Sequence, residues 1–335
     1  MVTPFSLRRR MLALGGAGAA LGLAGCAADP VPVARAAADP VNAVLRPWLS
    51  LNGAWQIDPA SPLQVQRPAP ARVNFMRPVG VAARNDIVLI ADAGERVIWR
   101  MDRARDAVAR VASFPGSIPE AGTSMQLGND LSVWVALPTE RAVAQYDLRG
   151  RLVRRWADTL EAPRPVAVVV PEDRSEVLVG DGASARVVVF DPLGHPRHVL
   201  GGNRPPALQS IAAMALGPRG LYVLDRIAQQ VVVLAPSGAV VEVIGEHQLV
   251  QPRALAVDAS GRVFVSDEQE QRIKVFREGR LLASVGGAGG GPARFGRIES
   301  MAIDGNLLYV ADSLNARVQV MMVSPPSMEV GMTPP

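Results

Sequence analysis

The amino-acid sequence predicts an all-β protein, a six-bladed β-propeller in which each blade has four antiparallel strands. Three observations predict this fold. A hairpin pattern recurs six times at a spacing of about 44 residues. Further strand-like runs flank these hairpins and complete units of four strands. Hydrophobic residues make up 49% of the chain and charged residues 20%, so the chain can form a packed core.

Residues 1–25 have the layout of a signal peptide. A basic stretch ends with Arg8, Arg9 and Arg10, and an apolar, small-residue run extends from Met11 to Ala24. This run is shorter than the roughly 20 apolar residues that a membrane span needs. The arginines are also similar to a twin-arginine signal, so both the general secretory route and twin-arginine export stay open.

The apolar run ends in the string Leu23-Ala24-Gly25-Cys26, which resembles the lipobox of bacterial lipoproteins. In that class the cysteine becomes the acylated first residue of the mature chain. The resemblance implies that Cys26 is a lipid attachment site and that the anchored protein faces the periplasm of a bacterial cell envelope. Ala27 stands where aspartate would signal retention, which favours the outer membrane.

The cysteine count and the charge exclude several function classes. Cys26 is the only cysteine, so thiol catalysis and cysteine-ligated metal sites are excluded from the mature chain. Without the three leader arginines the chain has 32 basic and 31 acidic residues, and no sustained basic patch is present. A nucleic-acid partner is therefore not expected.

The chain divides into a leader, a linker, the repeats and a tail. Residues 26–50 are rich in Ala and Pro and are predicted to be a lipid-anchored flexible linker. Residues 51–325 are assigned to the propeller, and residues 326–335 to a disordered tail. No spanning helix is predicted, and the membrane is reached through the lipid anchor.

Each hairpin consists of an alternating β-branched run, a polar loop and a second alternating run. The positions that close the first runs lie 42 to 45 residues apart; they are Asp92, Ala136, Asp181, Asp225, Asp267 and Asp312. Strand-like runs also precede and follow the hairpins, as in 78–83 and 240–245. A four-stranded sheet cannot bury both faces alone, whereas sheets stacked around an axis bury them against each other.

The repeated strings resemble NHL repeats, whose blades share the pattern V-x-V-x-D-x-x-x-x-R-V. The segments 263–273 and 308–318 fit this pattern well, and 251–258 is similar to the innermost strand of the same repeat. The resemblance covers residues 75–323 and implies a propeller. Three departures stand out: Ala136 in place of Asp, Gln230 in place of Arg, and a first loop one residue short at Arg96.

Closure of the last blade needs a strand from elsewhere, because the last repeat ends near Val323 and is stopped by Pro325 and Pro326. We expect the N-terminal side to donate it, through Leu63–Gln66 or Gly53–Ile57. The tail around Met328–Val330 is the rival donor.

The repeated polar residues are the candidate site. The Asp series is best interpreted as turn residues that accept backbone N–H groups. An Arg series is the candidate binding set, either as partners of these Asp residues or as a ring for carboxylates and phosphates. Its members are Arg96, Arg141, Arg186, Arg272 and Arg317.

No catalytic residue, metal ligand or cofactor is predicted. His195 and His198 fall near an outer strand and His247 in a loop between blades, where surface roles are expected. The Gly-rich run 286–295 lacks the Gly-Lys-Ser/Thr end of a phosphate loop and is interpreted as a connection between blades.

The favoured function is a membrane-anchored, non-catalytic binding or assembly scaffold for a protein or an envelope polymer. Its ligand surface is expected on the face that carries the loops between blades, near 115–122, 201–209, 245–252 and 286–297. The alternative is a calcium-dependent, lactonase-like hydrolase or lyase with its site on the axis. Its possible ligands are Asn129, Asp130, Glu299 and Asp304. A weaker third possibility is an accessory subunit of an export or electron-transfer complex.

Overall fold

The structure, a computed structural model, describes residues 44–56, 71–113, 122–157, 161–201 and 207–325. It confirms the predicted all-β fold of six blades, each built on four antiparallel strands. The innermost strands of neighbouring blades contact one another and the sixth contacts the first, so the blades form a closed ring. Among the described residues no helix has the length and apolar character that a membrane span requires.

The strands follow one another in chain order, with three of them before the first blade. These three are β1 (Leu45–Leu51), β2 (Gly53–Gln56) and β3 (Arg72–Asn74). Blade 1 comprises β4 (Pro78–Arg84), β5 (Ile87–Asp92), β6 (Val97–Asp102) and β7 (Ala107–Ser113). Blade 2 comprises β8 (Met125–Leu127), β9 (Val133–Leu137), β10 (Ala142–Tyr146) and β11 (Leu152–Ala157). Blade 3 comprises β12 (Pro165–Val169), β13 (Val177–Asp181), β14 (Arg186–Phe190) and β15 (Pro196–Leu200).

Blades 4 to 6 repeat this plan, except that the last blade has three consecutive strands of its own. Blade 4 comprises β16 (Ile211–Gly217), β17 (Gly220–Asp225), β18 (Gln230–Leu234) and β19 (Val240–Ile244). Blade 5 comprises β20 (Pro252–Val257), β21 (Val263–Asp267), β22 (Arg272–Arg277) and β23 (Arg280–Gly286). Blade 6 comprises β24 (Ile298–Asp304), β25 (Leu307–Asp312) and β26 (Arg317–Val323), with β1 at its outer edge.

The core lies between adjacent blades. The second and third strands are buried on both faces, which is why their sequences are nearly continuous apolar runs. Leu89 of blade 1, for example, belongs to the same buried cluster as Val133 and Val135 of blade 2. The outermost strands show a less regular alternation of buried and exposed residues and are largely exposed, as in β11. Burial between stacked sheets is the main stabilising contribution, as expected for a propeller.

The turns lie on two opposite faces, because consecutive strands of each blade are antiparallel. We call one the mouth face; it carries the turn between the second and third strands of each blade and the connections between blades. The mouth-face turns are 93–96, 138–141, 182–185, 226–229, 268–271 and 313–316. The opposite face carries the other two turns of each blade. Val44 lies on the opposite face, where its carbonyl accepts the N–H of Ser324, just after β26.

A strand from the N-terminal side closes blade 6, as expected, but both predicted segments were wrong. The closing strand is β1, which pairs antiparallel with β26 from Leu45 opposite Val323 to Leu51 opposite Val318. Gly53–Gln56 instead pairs in parallel with β7 and antiparallel with β3, which widens the sheet of blade 1 to six strands. Residues 63–66 and 328–330 lie outside the described residues.

The start of the propeller and the alignment of the first two repeats also differ from the prediction. The propeller begins at Leu45, which is fully buried, so the end of the predicted linker 26–50 is a strand of the domain. The mouth-face turn has four residues in every blade, so the first loop is not short. Val97 lies opposite Asp92, and Leu137, rather than Ala136, takes the place of the repeated Asp opposite Ala142.

Candidate functional site

The repeated Asp residues hold the backbone of their own blades. The carboxylate of Asp225 accepts N–H bonds from Gln209 and Ser210, just before β16, at 2.6 and 3.1 Å, and from Ile227 and Ala228 in the following turn at 3.1 and 3.0 Å. The equivalent carboxylates also bind N–H groups that precede the innermost strand; they belong to Asp92, Asp181, Asp267 and Asp312. All five side chains are fully buried, so these groups serve the fold.

The structure places the five predicted arginines on the outer part of the mouth face. Arg186, Arg272 and Arg317 are the first residues of third strands, directly opposite the repeated Asp. Arg96 and Arg141 lie one position earlier, as the last turn residue, with φ of 57° and 49°. None of the five lines the cavity on the axis. Whether they bind a ligand stays a prediction.

Arg317 shows how such a residue serves the scaffold. Its Nε donates to Asp312 at 3.0 Å, and its Nη groups donate to the carbonyls of Gly290, Gly291 and Arg294 at 2.7 to 3.0 Å. The Gly-rich run 286–295 is therefore an ordered connection between β23 and β24, pinned by this guanidinium.

A cavity of about 330 Å³ lies on the axis and is lined by the six innermost strands. Its walls are mainly Ala and Val. The polar side chains there bind neighbouring strands: Ser124 Oγ accepts the N–H of Val168 at 3.1 Å, and the Gln126 amide binds both the N–H and the carbonyl of Val170 at 2.6 and 2.7 Å. These bonds satisfy backbone groups that have no ladder partner.

A network of four charged side chains lies between blades 5 and 6, and two of them, Arg253 and Glu299, line this cavity. Arg253 binds Glu268 at 2.6 Å and Glu299 at 3.0 Å. Arg297 lies 2.8 Å from Glu268 and 3.2 Å from Glu299. The Glu299 side chain is 0% exposed and that of Arg253 is 11% exposed, so this network is largely withdrawn from water. Its two positive and two negative charges balance.

A second opening on the mouth face, which we call the arginine cleft, adjoins this network. It has a volume of about 290 Å³ and spans blades 2 to 5. Its polar lining side chains are Arg164, Arg226, Arg253, Thr123, Thr139 and Ser210. None of its lining residues in the described part of the chain is a carboxylate. Arg164 and Arg226 are exposed, and neither guanidinium has a hydrogen bond or ion pair within the described residues.

These mouth residues were missed by the sequence interpretation. Arg164 and Arg297 directly precede innermost strands, Arg253 lies in the register shift of β20, and Arg226 follows a repeated Asp. A signal was present, because the residue after the repeated Asp lies at the mouth and differs from blade to blade. In the five blades that keep the Asp it is Ala93, Gly182, Arg226, Glu268 and Ser313.

The acids and amides considered for an axial calcium site do not come together. Asn129 and Asp130 lie in a turn of the opposite face, where Asp130 binds Ser132 and Arg174. Glu299 and Asp304 lie near opposite ends of β24, roughly 17 Å apart along an extended strand. No group of three His, Cys, Asp or Glu side chains within the described ranges could hold a metal ion.

The histidines occupy surface positions, as expected. His195 lies in an opposite-face turn, with Nδ1 3.1 Å from the Asp191 carboxylate. The backbone N–H of His195 and this side-chain contact lower the pKa of Asp191 to about 2. His198 is on the exposed outer strand β15, and His247 is exposed in the connection before β20, with φ of 60°.

No family model and no curated protein sequence matches the chain. Solved structures do resemble it in fold. A Bacteroides thetaiotaomicron protein of unknown function has a TM-score of 0.57 at 16% identity, covering 75% of this chain and 70% of that one. Virginiamycin B lyase from Staphylococcus aureus has a TM-score of 0.56 at 11% identity, covering 83% and 99%. A structure described as streptogramin B lyase scores 0.56 at 9% identity, covering 75% and 94%. At these identities the comparisons establish the fold alone: the chain is a β-propeller.

Proposed function

We propose that this protein is a lipid-anchored, NHL-type propeller of a bacterial cell envelope, which uses its mouth face to hold a protein or an envelope polymer. The observation that carries this proposal is the arginine cleft, an open pocket in which the exposed guanidinium groups of Arg164 and Arg226 have no ion-pair partner among the described residues. Pockets lined by a few convergent polar groups are the default binding sites of a fold, and a propeller presents such a site on an ordered scaffold.

Two further observations support the choice of face. The large apolar side chains of Met76, Ile227 and Leu314 are 58 to 68% exposed on the mouth face, and Ile227 lines the opening that adjoins the cleft. Val44, the first described residue, lies on the opposite face. The mouth face therefore lies on the side away from the point where the described chain begins.

The test is site-specific photo-crosslinking in intact envelopes. A photoreactive residue replaces Ile227 on the mouth face or, as a matched control, Leu193 in an opposite-face turn; the two side chains are 63% and 68% exposed. We expect a discrete adduct, or a polymer ladder, from position 227 and none from position 193. Equal adducts from both positions, or none from 227, would contradict the proposal.

A further inference from the structure

The charge balance of the mouth face differs sharply between its two halves. Between blades 5 and 6, Arg253 and Arg297 are neutralised by Glu268 and Glu299 at 2.6 to 3.2 Å. Across the arginine cleft, Arg164 and Arg226 have no such partner within the described part of the chain. The cleft therefore carries two unbalanced positive charges, because both guanidinium groups are always protonated.

The rest of the lining is suited to the same kind of ligand. Thr139 and Ser210 add hydroxyl groups, which can donate hydrogen bonds, and none of the described lining side chains is a carboxylate. Blade 2, which supplies one wall, also lacks the repeated carboxylate, because Leu137 stands in its place. Among the described lining residues, an anion in the cleft would thus meet donors and no negatively charged group.

From this arrangement we propose that the arginine cleft binds a phosphate group. A phosphate monoester carries about −1.5 to −2 charges and three acceptor oxygens, which matches two free guanidinium groups. A carboxylate carries one charge and would leave one arginine unbalanced. Guanidinium groups bind phosphate oxygens in a bidentate manner. Arg253, held by two glutamates, is the fixed wall, and Arg164 and Arg226 are the binding residues.

The dimensions admit a larger molecule that bears this phosphate. The cleft of about 290 Å³ shares Ser210, Arg226 and Arg253 with an adjoining opening of about 710 Å³. The phosphate would lie between the arginines, and the group that carries it would extend into the wider opening towards Ile227 and Val250. This inference rests on the proposed function, because it names the ligand chemistry of the same face.

The test is calorimetric titration of the full-length protein in detergent at low ionic strength. The probes are inorganic phosphate, glycerol 3-phosphate as a monoester, a glycerol phosphodiester and acetate. We expect the two monoester-like probes to bind and acetate to bind far more weakly. Tighter binding of the monoester than of the phosphodiester, which carries a single charge, would support the match to two arginines. Tighter binding of the phosphodiester would contradict it. Equal or tighter binding of acetate, or no binding of any phosphate probe, would overturn the proposal.

Four variants locate the binding. R164Q and R226Q should each weaken phosphate affinity about tenfold, the loss expected for one charge-assisted hydrogen bond. The matched control is R197Q, which removes the same charge from the exposed strand β15 of blade 3 and should leave the affinity within about twofold. R164K keeps the positive charge but loses the planar guanidinium that can donate two parallel hydrogen bonds. Its phosphate affinity should therefore lie between those of the wild type and R164Q. All these side chains are exposed, so folding should persist, and unfolding curves check it.

The outcomes separate this inference from the proposed function. If phosphate fails to bind but position 227 still crosslinks, the mouth face is a binding surface for another chemistry and the phosphate site is wrong. If phosphate binds, and R164Q and R226Q lose affinity as expected, but position 227 gives no adduct, the phosphate site is confirmed and the proposed scaffold role is wrong. An equal loss in R197Q would mean that net charge, and not the cleft, attracts phosphate.

Discussion

The repeated Asp residues show how one buried carboxylate can organise a blade. Each accepts N–H bonds from the chain that enters the innermost strand, and Asp92, Asp181 and Asp225 also accept them from the following turn. Asp267 and Asp312 are bound by side-chain donors instead, from Lys274 and from Asn315 and Arg317. In the five blades that keep this Asp, the pairing of the first two strands contains a register shift near the mouth. Blade 2, with Leu137 in that place, has a regular ladder without the shift. The carboxylate is thus associated with the bulged entry of the innermost strand.

Asp267 differs from the others because it has a lysine partner. Lys274 Nζ lies 2.8 Å from its carboxylate, 2.9 Å from Glu270 and 2.8 Å from the Gln248 carbonyl, and it is the only lysine of the chain. Burial alone would raise the pKa of Asp267, but the bond from Lys274 and the N–H bonds of Val250 and Gln251 hold it below its ordinary 3.8. Burial would lower the pKa of Lys274, but its bonds to the two carboxylates raise it.

Replacing Lys274 by valine tests this pair. The K274V variant leaves a buried carboxylate with two backbone donors, and we expect it to lower the free energy of unfolding by about 3–5 kcal/mol near neutral pH. Because the pKa of Asp267 is depressed in the folded state, its contribution is present above 3.8 and is lost as the pH falls through and below that value. The difference between K274V and the wild type should therefore shrink in acid. Urea unfolding of both proteins at neutral pH and in acid measures this difference.

The matched control is the double variant Asp267→Asn with Lys274→Val, which removes both charges and should cost less than K274V alone. A loss in K274V that stays constant from neutral pH into acid would show that the ion pair is not its cause.

At the same residue scale, the sequence revealed the structural residues better than the binding ones. The Asp series could be predicted because the fold needs it in nearly every blade, and repetition makes it visible. Arg164 and Arg226 could not, because a site built once around an axis uses positions at which the repeats differ. Their convergence depends on ring closure, which no single repeat encodes.

At the scale of elements, the closing strand β1 explains the main error of the sequence interpretation. Its sequence, Leu-Arg-Pro-Trp-Leu-Ser-Leu, lacks clean alternation and contains Pro47, so it was assigned to the linker. Proline is tolerated here because β1 is an edge strand and the register shifts between Pro47 and Leu49. The hairpins of the repeat were predictable, because their alternation and turns are local. The partner of an edge strand far away in sequence was not.

The closure makes a specific prediction about β1. Leu45 is fully buried in the cluster that includes Met321 and Val323, whereas Leu49 in the same strand is 38% exposed. We expect Leu45→Ala to lower the free energy of unfolding by about 2–5 kcal/mol, through lost burial and the cavity that it leaves. Leu49→Ala, the matched control, should cost no more than about 0.5 kcal/mol. Chemical denaturation of both variants measures this; equal losses would mean that β1 does not close blade 6.

At the scale of the whole molecule, the two faces of the disc have different tasks in the proposed arrangement. The mouth face carries the arginine cleft, and the described chain begins on the opposite face at Val44. The 18 residues from Cys26 to Ala43, which precede Val44, could span at most about 60 Å. In the proposed arrangement this length limits the distance between a lipid anchor and the propeller. A propeller anchored in this way can meet a partner well away from the membrane surface.

The anchor itself is tested by Cys26→Ser. Serine has no sulfur to carry the lipid, so we expect this variant to move from the membrane fraction to the soluble fraction. Its unfolding transition should be unchanged, because residue 26 precedes the first strand. Ala27→Ser is the matched control; it alters the neighbouring residue, keeps the thiol and should stay with the membrane. Fractionation with labelled fatty acid measures both expectations. Persistent membrane association of Cys26→Ser, or unlabelled wild-type protein, would show that the chain is held by another contact, and the mouth face would then be the first surface to examine for it.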